Sequence, residues 1–101
     1  VAMGLKFDSR WEAERWGQIK SMERAGIVIN LDRQIKFPIV MNDIKICDYI
    51  ADFVYDLKNE DGTISHIVED AKGVLTPEFR LKKKMMLAVH GIDILLTFKN
   101  K

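Results

Sequence analysis

One cysteine, two prolines, six glycines and no long apolar run mark this 101-residue sequence. The single thiol, Cys47, excludes an intramolecular disulfide framework and a cysteine-rich zinc site, and it suits a reducing compartment. No apolar stretch approaches the roughly 20 residues that span a bilayer, so no membrane partner is expected. The opening Val1-Ala2-Met3-Gly4 lacks the apolar core of a secretory signal, and a first residue of Val fits the cut edge of a longer protein. An excess of one charge is missing too. Sixteen Lys and Arg stand against 15 Asp and Glu, a net charge of +1, so any argument for a nucleic-acid partner rests on where the charges sit. No internal repeat, low-complexity segment or linker interrupts the chain. With 48% hydrophobic and 31% charged residues, residues 1–101 have the composition of one folded domain.

Apolar periodicity predicts a first helix from Ser9 to Ala25, its stripe formed by Trp11, Trp16, Ile19 and Met22, with Gly26 ending it. Ser9 and Glu12 have the spacing of a capping box, in which each side chain satisfies an amide at the helix start. Glu12 also lies beside the apolar stripe, where a carboxylate must be paired, hydrated or functional. Arg33 to Val40 reads as a strand interrupted at Pro38, which suits an edge or a strand end. Asn42-Asp43 marks a turn. Two strong strands follow, Lys45 to Leu57 and Thr63 to Lys72, joined through Asn59-Glu60-Asp61-Gly62 as a hairpin. Thr76 and Pro77 open a second helix that runs to His90 and stops at Gly91. Ile92 to Phe98 is a last strand, and Asn100-Lys101 is expected to fray.

The hairpin carries the chemistry. Side chains alternate along a strand, so Ile50, Asp52, Val54 and Asp56 share one face, as do Val68, Asp70 and Lys72 on the next strand. A three-residue loop, Glu60-Asp61-Gly62, makes Asp52 the direct neighbour of Asp70, with Lys72 two residues along the same face. Two facing aspartates repel, and a divalent cation with oxygen ligands removes that repulsion. A lysine beside the ion orients or deprotonates a water, or neutralises charge on a phosphoryl group. These are parts of metal-dependent phosphodiester hydrolysis. The same spacing fits a solvated surface hairpin with a Lys72–Asp70 salt bridge. A one-residue change of loop length would instead bring Glu69 opposite Asp52.

Asp52 after an apolar run and Asp70-Ala71-Lys72 on the following strand resemble the PD-(D/E)XK nuclease motif, with Ala51 in place of its proline. Lys6-Phe7-Asp8-Ser9-Arg10-Trp11-Glu12, Leu31-Asp32-Arg33-Gln34, Tyr49-Ile50-Ala51-Asp52-Phe53, Val68-Glu69-Asp70-Ala71-Lys72-Gly73 and Thr76-Pro77-Glu78-Phe79-Arg80-Leu81-Lys82 are similar to a family of small phage proteins. That family was catalogued as of unknown function and is assigned to the same nuclease superfamily. The resemblance runs from Lys6 to Ile94. It implies an α/β, restriction-endonuclease-like core, a mixed sheet with the order helix, strand, strand, strand, helix, strand. The implied activity is that of a phage Mg²⁺-dependent endodeoxyribonuclease, with Mn²⁺ as a substitute, similar in role to Holliday-junction resolvases of DNA recombination. Asp52 and Asp70 would be its metal-binding carboxylates, Lys72 its catalytic lysine, and Glu12 the acidic residue brought from the first helix to the same metal. Members of the family begin with a short basic segment ahead of the position of Gly4, which this chain does not carry, so weaker DNA binding is expected of it.

Other residues have competing readings. Glu12 either caps the helix alone or leaves the cap to serve the metal, and Gln34 either supports the site from the first strand or is an ordinary exposed residue. Glu69, on the opposite face from Asp70, is expected to be structural or solvent-facing. Arg80, Lys82, Lys83 and Lys84 form either a solvated helix face or contacts to DNA phosphates, with Lys82 or Lys83 reaching inward. His66 lies roughly 13 Å along the strand from Asp70 and reads as an ordinary strand residue. His90 suits a helix C-terminus. The tryptophans, Met85 and Met86 read as core or subunit interface. The expected partner is DNA, branched by the resemblance, and cutting two symmetry-related strands calls for a homodimer in the cytoplasm of an infected bacterium. The alternative is a non-catalytic DNA-binding or scaffolding domain that keeps the nuclease fold.

Overall fold

Ser9 starts the first helix in the way its sequence position predicts. Its hydroxyl accepts from the Glu12 N–H at 3.1 Å, and helix α1 spans Arg10–Arg24. The reciprocal half of the capping box is absent: the Glu12 carboxylate accepts from Asp8 N instead of turning back to Ser9. Gly26, at φ 79°, ends the helix, donating to Glu23 O while Ile27 N donates to Met22 O, both at 3.0 Å. This paired arrangement satisfies the last carbonyls and needs a left-handed residue, which glycine supplies without a Cβ penalty. The computed structural model describes residues 4–99, so the fraying expected at Asn100 and Lys101 lies outside the described residues.

Strand β1 spans Val28–Met41 and turns through Asn42-Asp43 into β2, Ile44–Lys58. Both turn residues have positive φ, 50° and 64°, the requirement of a two-residue turn whose twist matches that of the flanking strands. β1 therefore begins five residues ahead of the expected Arg33. A bulge between Ile29 and Asp32, with Asn30 at φ 55°, breaks the alternation that would have revealed the earlier half. β1 is an edge strand, as Pro38 predicts.

β2 runs into β3, Ile64–Lys72, through the three-residue loop Glu60-Asp61-Gly62. Gly62 stands at φ 89° and its N–H reaches Asn59 O at 3.0 Å, while Asn59 N donates to Thr63 O at 2.8 Å. The resulting register pairs Phe53 with Glu69 and would pair Asp52 with Asp70 next, but the ladder ends there. From that point β3 continues beside β4, Leu95–Phe98, in parallel, with Asp70 opposite Leu96.

Between them lies α2, Pro77–His90, capped by the Thr76 hydroxyl on Phe79 N at 3.1 Å and closed by Gly91 at φ 68°. β4 starts three residues later than the expected Ile92. Ile92 N still serves the end of α2 by donating to Met86 O, and Ile94 is buried against that helix.

The sheet order is β1-β2-β3-β4, antiparallel except for the last pair. Two apolar clusters fasten it. Ile19, Val28, Phe53 and Tyr55 lie with Trp16 and Met22 under α1, and Ile39, Tyr49, Ala51, Val68 and Ile94 pack with Phe79 and Met86 of α2. Glu69 bonds Arg15 of α1 while its neighbour Val68 packs with α2, so the two helices cover opposite sides of β3. This α/β arrangement, a four-stranded mixed sheet flanked by two helices, is consistent with a restriction-endonuclease-like core. No helix among the described residues is long and apolar enough to cross a membrane.

Candidate active site

The site sits at the fork where β2 leaves β3. Asp52 and Asp70 are the first residues past the last ladder pair, Phe53 and Glu69, and each departing strand carries one of them. Asp52 Oδ2 fills part of the gap by accepting from Ala71 N at 3.0 Å, a backbone donor of β3. Asp70 is 2% exposed, and its Oδ2 accepts a short hydrogen bond from the Tyr49 hydroxyl. Lys72 Nζ lies 3.9 Å from the same oxygen and 4.0 Å from the centre of the Phe79 ring, a position that holds the ammonium over an aromatic face. Asp70, Lys72, Tyr49, Ile50, Thr76 and Lys82 line an open cleft of about 290 Å³ between β2 and the start of α2.

Burial dominates the electrostatics of this pair. Loss of solvent pushes the Asp70 carboxyl up to about 7; the Tyr49 hydrogen bond works against that rise, and the neighbouring Asp52 adds to it as a like charge and a hydrogen-bond partner. The same burial and the Asp70 charge hold the Tyr49 hydroxyl protonated, so Tyr49 is a hydrogen-bond donor throughout.

Glu12 is 2% exposed and belongs to the margin of this group. Its Oε1 accepts from Asp8 N at 3.1 Å, and its Oε2 accepts from Gln34 Nε2 at 3.2 Å and Arg33 Nη2 at 3.5 Å. Burial raises the Glu12 carboxyl above the ordinary range, with the Asp52 charge as the next cause. Among the described residues no three Asp, Glu, His or Cys side chains converge closely enough to hold an ion. The fork thus supplies two carboxylates and Glu12 a third from outside that pair. Two suffice for a hard cation such as Mg²⁺, which keeps several waters and takes one or two protein carboxylates.

Gln34 shows a local strain that the register does not require. Its φ is 56°, yet Arg33 opposite Phe53 and Ile35 opposite Ala51 share one register across it. A left-handed residue other than glycine costs on the order of 1 kcal/mol or more.

The remaining residues separate into site and scaffold. Glu69, one position from Asp70, is fully buried and structural: Arg15 grips it at 2.7 and 3.1 Å, and Tyr55 and Thr97 donate to it. The four helix cations do not act as one face. Lys82 enters the cleft and pairs with Glu78 at 3.6 Å, whereas Arg80, Lys83 and Lys84 border a separate groove with Leu87. Lys83 is bound to Asp93 at 2.8 Å. His66 contacts Asp56 within the hairpin, and His90 meets the Pro38 carbonyl at 2.8 Å, so neither joins the site. Trp16 stacks on Phe53, Trp11 donates to Thr97 O, and Met86 is core.

Sequence reasoning missed Tyr49 and Arg33. Alternation places Tyr49 on the face opposite Asp52, but β2 separates from β3 at the fork and Tyr49 reaches Asp70 from there. Arg33 carries a stronger signal, a cation directly before Gln34 on a strand otherwise apolar toward the core. No curated protein and no solved structure matches the chain. Over residues 1–100, the chain belongs to the family described as "Protein of unknown function (DUF1064)".

Proposed function

We propose that this protein is a metal-dependent endodeoxyribonuclease of the PD-(D/E)XK type that hydrolyses phosphodiesters of branched DNA during phage recombination. The observation that carries the reading is the juxtaposition of Asp52, Asp70 and Lys72 at a strand fork that opens on a cleft. Burying Asp70 against the half-buried Asp52 is unfavourable unless a cation joins them, and the chemistry of this donor set suits Mg²⁺, with Mn²⁺ as a substitute. Asp52 and Asp70 would hold the ion, with Glu12 adding negative charge beside Asp52. When bound, the ion supplies charge stabilisation at the phosphate and a more acidic water.

The chain's own residues do the rest. Lys72, kept beside Asp70, orients the attacking water or neutralises the phosphate as water adds to phosphorus and one ester oxygen departs. Lys82 offers a cation inside the cleft for a phosphate of the cut strand. Arg80, Lys83 and Lys84 offer cations for phosphates farther along the duplex. Paired cuts across a junction call for a homodimer. Its place of action is the cytoplasm of the infected bacterial cell.

The test is incubation with labelled four-way junctions and matched linear duplexes, in Mg²⁺ or in EDTA. Paired, Mg²⁺-dependent cuts near the branch are expected. Cutting that ignores the branch would leave a nuclease of broader substrate range. Binding without cutting of any DNA would favour a non-catalytic DNA-binding module.

A further inference from the structure

Adjacent residues of a strand point to opposite faces, yet Arg33 and Gln34 of β1 both donate to one oxygen, Oε2 of Glu12, at 3.5 and 3.2 Å. The left-handed backbone at Gln34, φ 56°, accompanies this exception. It produces no bulge, because the register with β2 is the same on both sides of it, unlike the bulge at Asn30. That register would set Gln34 opposite Asp52, although the two form no ladder pair. A glycine would adopt this backbone without strain, so a glutamine here is explained by what its amide does.

Arg33 shows the same commitment. Its guanidinium lies 4.4 Å from the centre of the Phe7 ring and donates to Lys6 O at 2.7 Å, while its buried Nε has no hydrogen-bond partner among the described residues. The group is fixed from several sides toward Glu12 at the expense of its own hydrogen bonding. Among the described residues, Glu12 is otherwise held by Asp8 N alone.

From this geometry we infer that Arg33 and Gln34 form a clamp that positions the Glu12 carboxylate beside the Asp52–Asp70 pair, making them positioning residues for divalent-cation binding. The inference rests on the nuclease reading of that pair. Asp52 and Asp70 would be the ligands and Glu12 the charge beside them, and removing groups that orient the surroundings of a metal site typically changes metal affinity by about 10- to 100-fold.

The experiment is calorimetric titration of the metal-free protein with Mn²⁺, for the wild type, Gln34→Gly, Gln34→Ala and Arg33→Lys, beside their thermal midpoints without metal. Gln34→Gly removes the amide and the backbone strain together, so its midpoint is expected to be no lower than that of Gln34→Ala. Both Gln34 variants are expected to bind Mn²⁺ about tenfold or more weakly, and Arg33→Lys, which loses the planar fork, to weaken it as well. Wild-type Mn²⁺ affinity in both Gln34 variants, whatever their midpoints, would overturn the clamp and leave the nuclease reading standing. Absence of Mn²⁺ uptake by the wild type would overturn the nuclease reading itself.

Discussion

On the proposed nuclease reading, Asp70 sets stability against function. Its carboxyl rises from 3.8 to about 7 because it is buried beside Asp52, so the folded protein resists ionising a group that the unfolded chain ionises readily. The sign follows from linkage: its contribution to metal-free stability is fully present below about pH 4, falls as pH rises through about 7, and is flat above. Asp70→Asn removes the penalty, and at pH 8 without divalent ions it is expected to stabilise the protein by up to about 4 kcal/mol, read from urea unfolding. Mg²⁺ should raise the midpoint of the wild type and leave the variant unmoved. Glu69 gives the opposite case. It is fully buried but paired with Arg15, so Arg15→Ala strands its charge and should cost about 3 kcal/mol, checked by the same unfolding measurement.

At the scale of elements, the β2–β3 hairpin decides whether the site exists. Gly62 holds the loop at φ 89°, and a Cβ there would meet nothing within 4 Å, so the cost of Gly62→Ala is purely conformational. A loss of about 1 kcal/mol is expected in thermal unfolding, with the register and the metal response retained. That hairpin was legible in the sequence. The Asp-Gly signal marks a hairpin but leaves its loop length open; the three-residue loop is the one formed, which brings Asp52 and Asp70 to the end of the ladder, and Ser9, Thr76 and Gly91 mark helix ends where they occur. Three things were hidden for physical reasons. The bulge at Asn30 broke the apolar alternation of early β1. Ile92 and Ile94 look like strand residues but serve the end of α2 and its core. The departure of β2 from β3, which lets Tyr49 reach Asp70, is a tertiary event that no local pattern encodes.

For the whole molecule, a net charge of +1 would give the proposed DNA binding little long-range help. Affinity must come from a few placed cations, of which Lys82 is inside the cleft and Arg80, Lys83 and Lys84 border another groove. Lys82→Ala is expected to lower the slope of log affinity against log salt by about 0.9, one phosphate contact, in DNA-binding titrations at several salt concentrations. The division of α2 into two cationic surfaces suits a substrate that passes both the cleft and the outer side of the helix.

The central claim is that the carboxylate pair at the fork is a metal-dependent cutting site. Its most direct test is the single-turnover rate of four-way-junction cleavage in Mg²⁺ by the wild type beside Asp52→Asn, Asp70→Asn and Lys72→Ala, each confirmed as folded. The account predicts Mg²⁺-dependent cutting by the wild type and a loss of about 100-fold or more in each variant. Cleavage by the carboxylate variants at the wild-type rate, or wild-type cleavage that persists in EDTA, would contradict it.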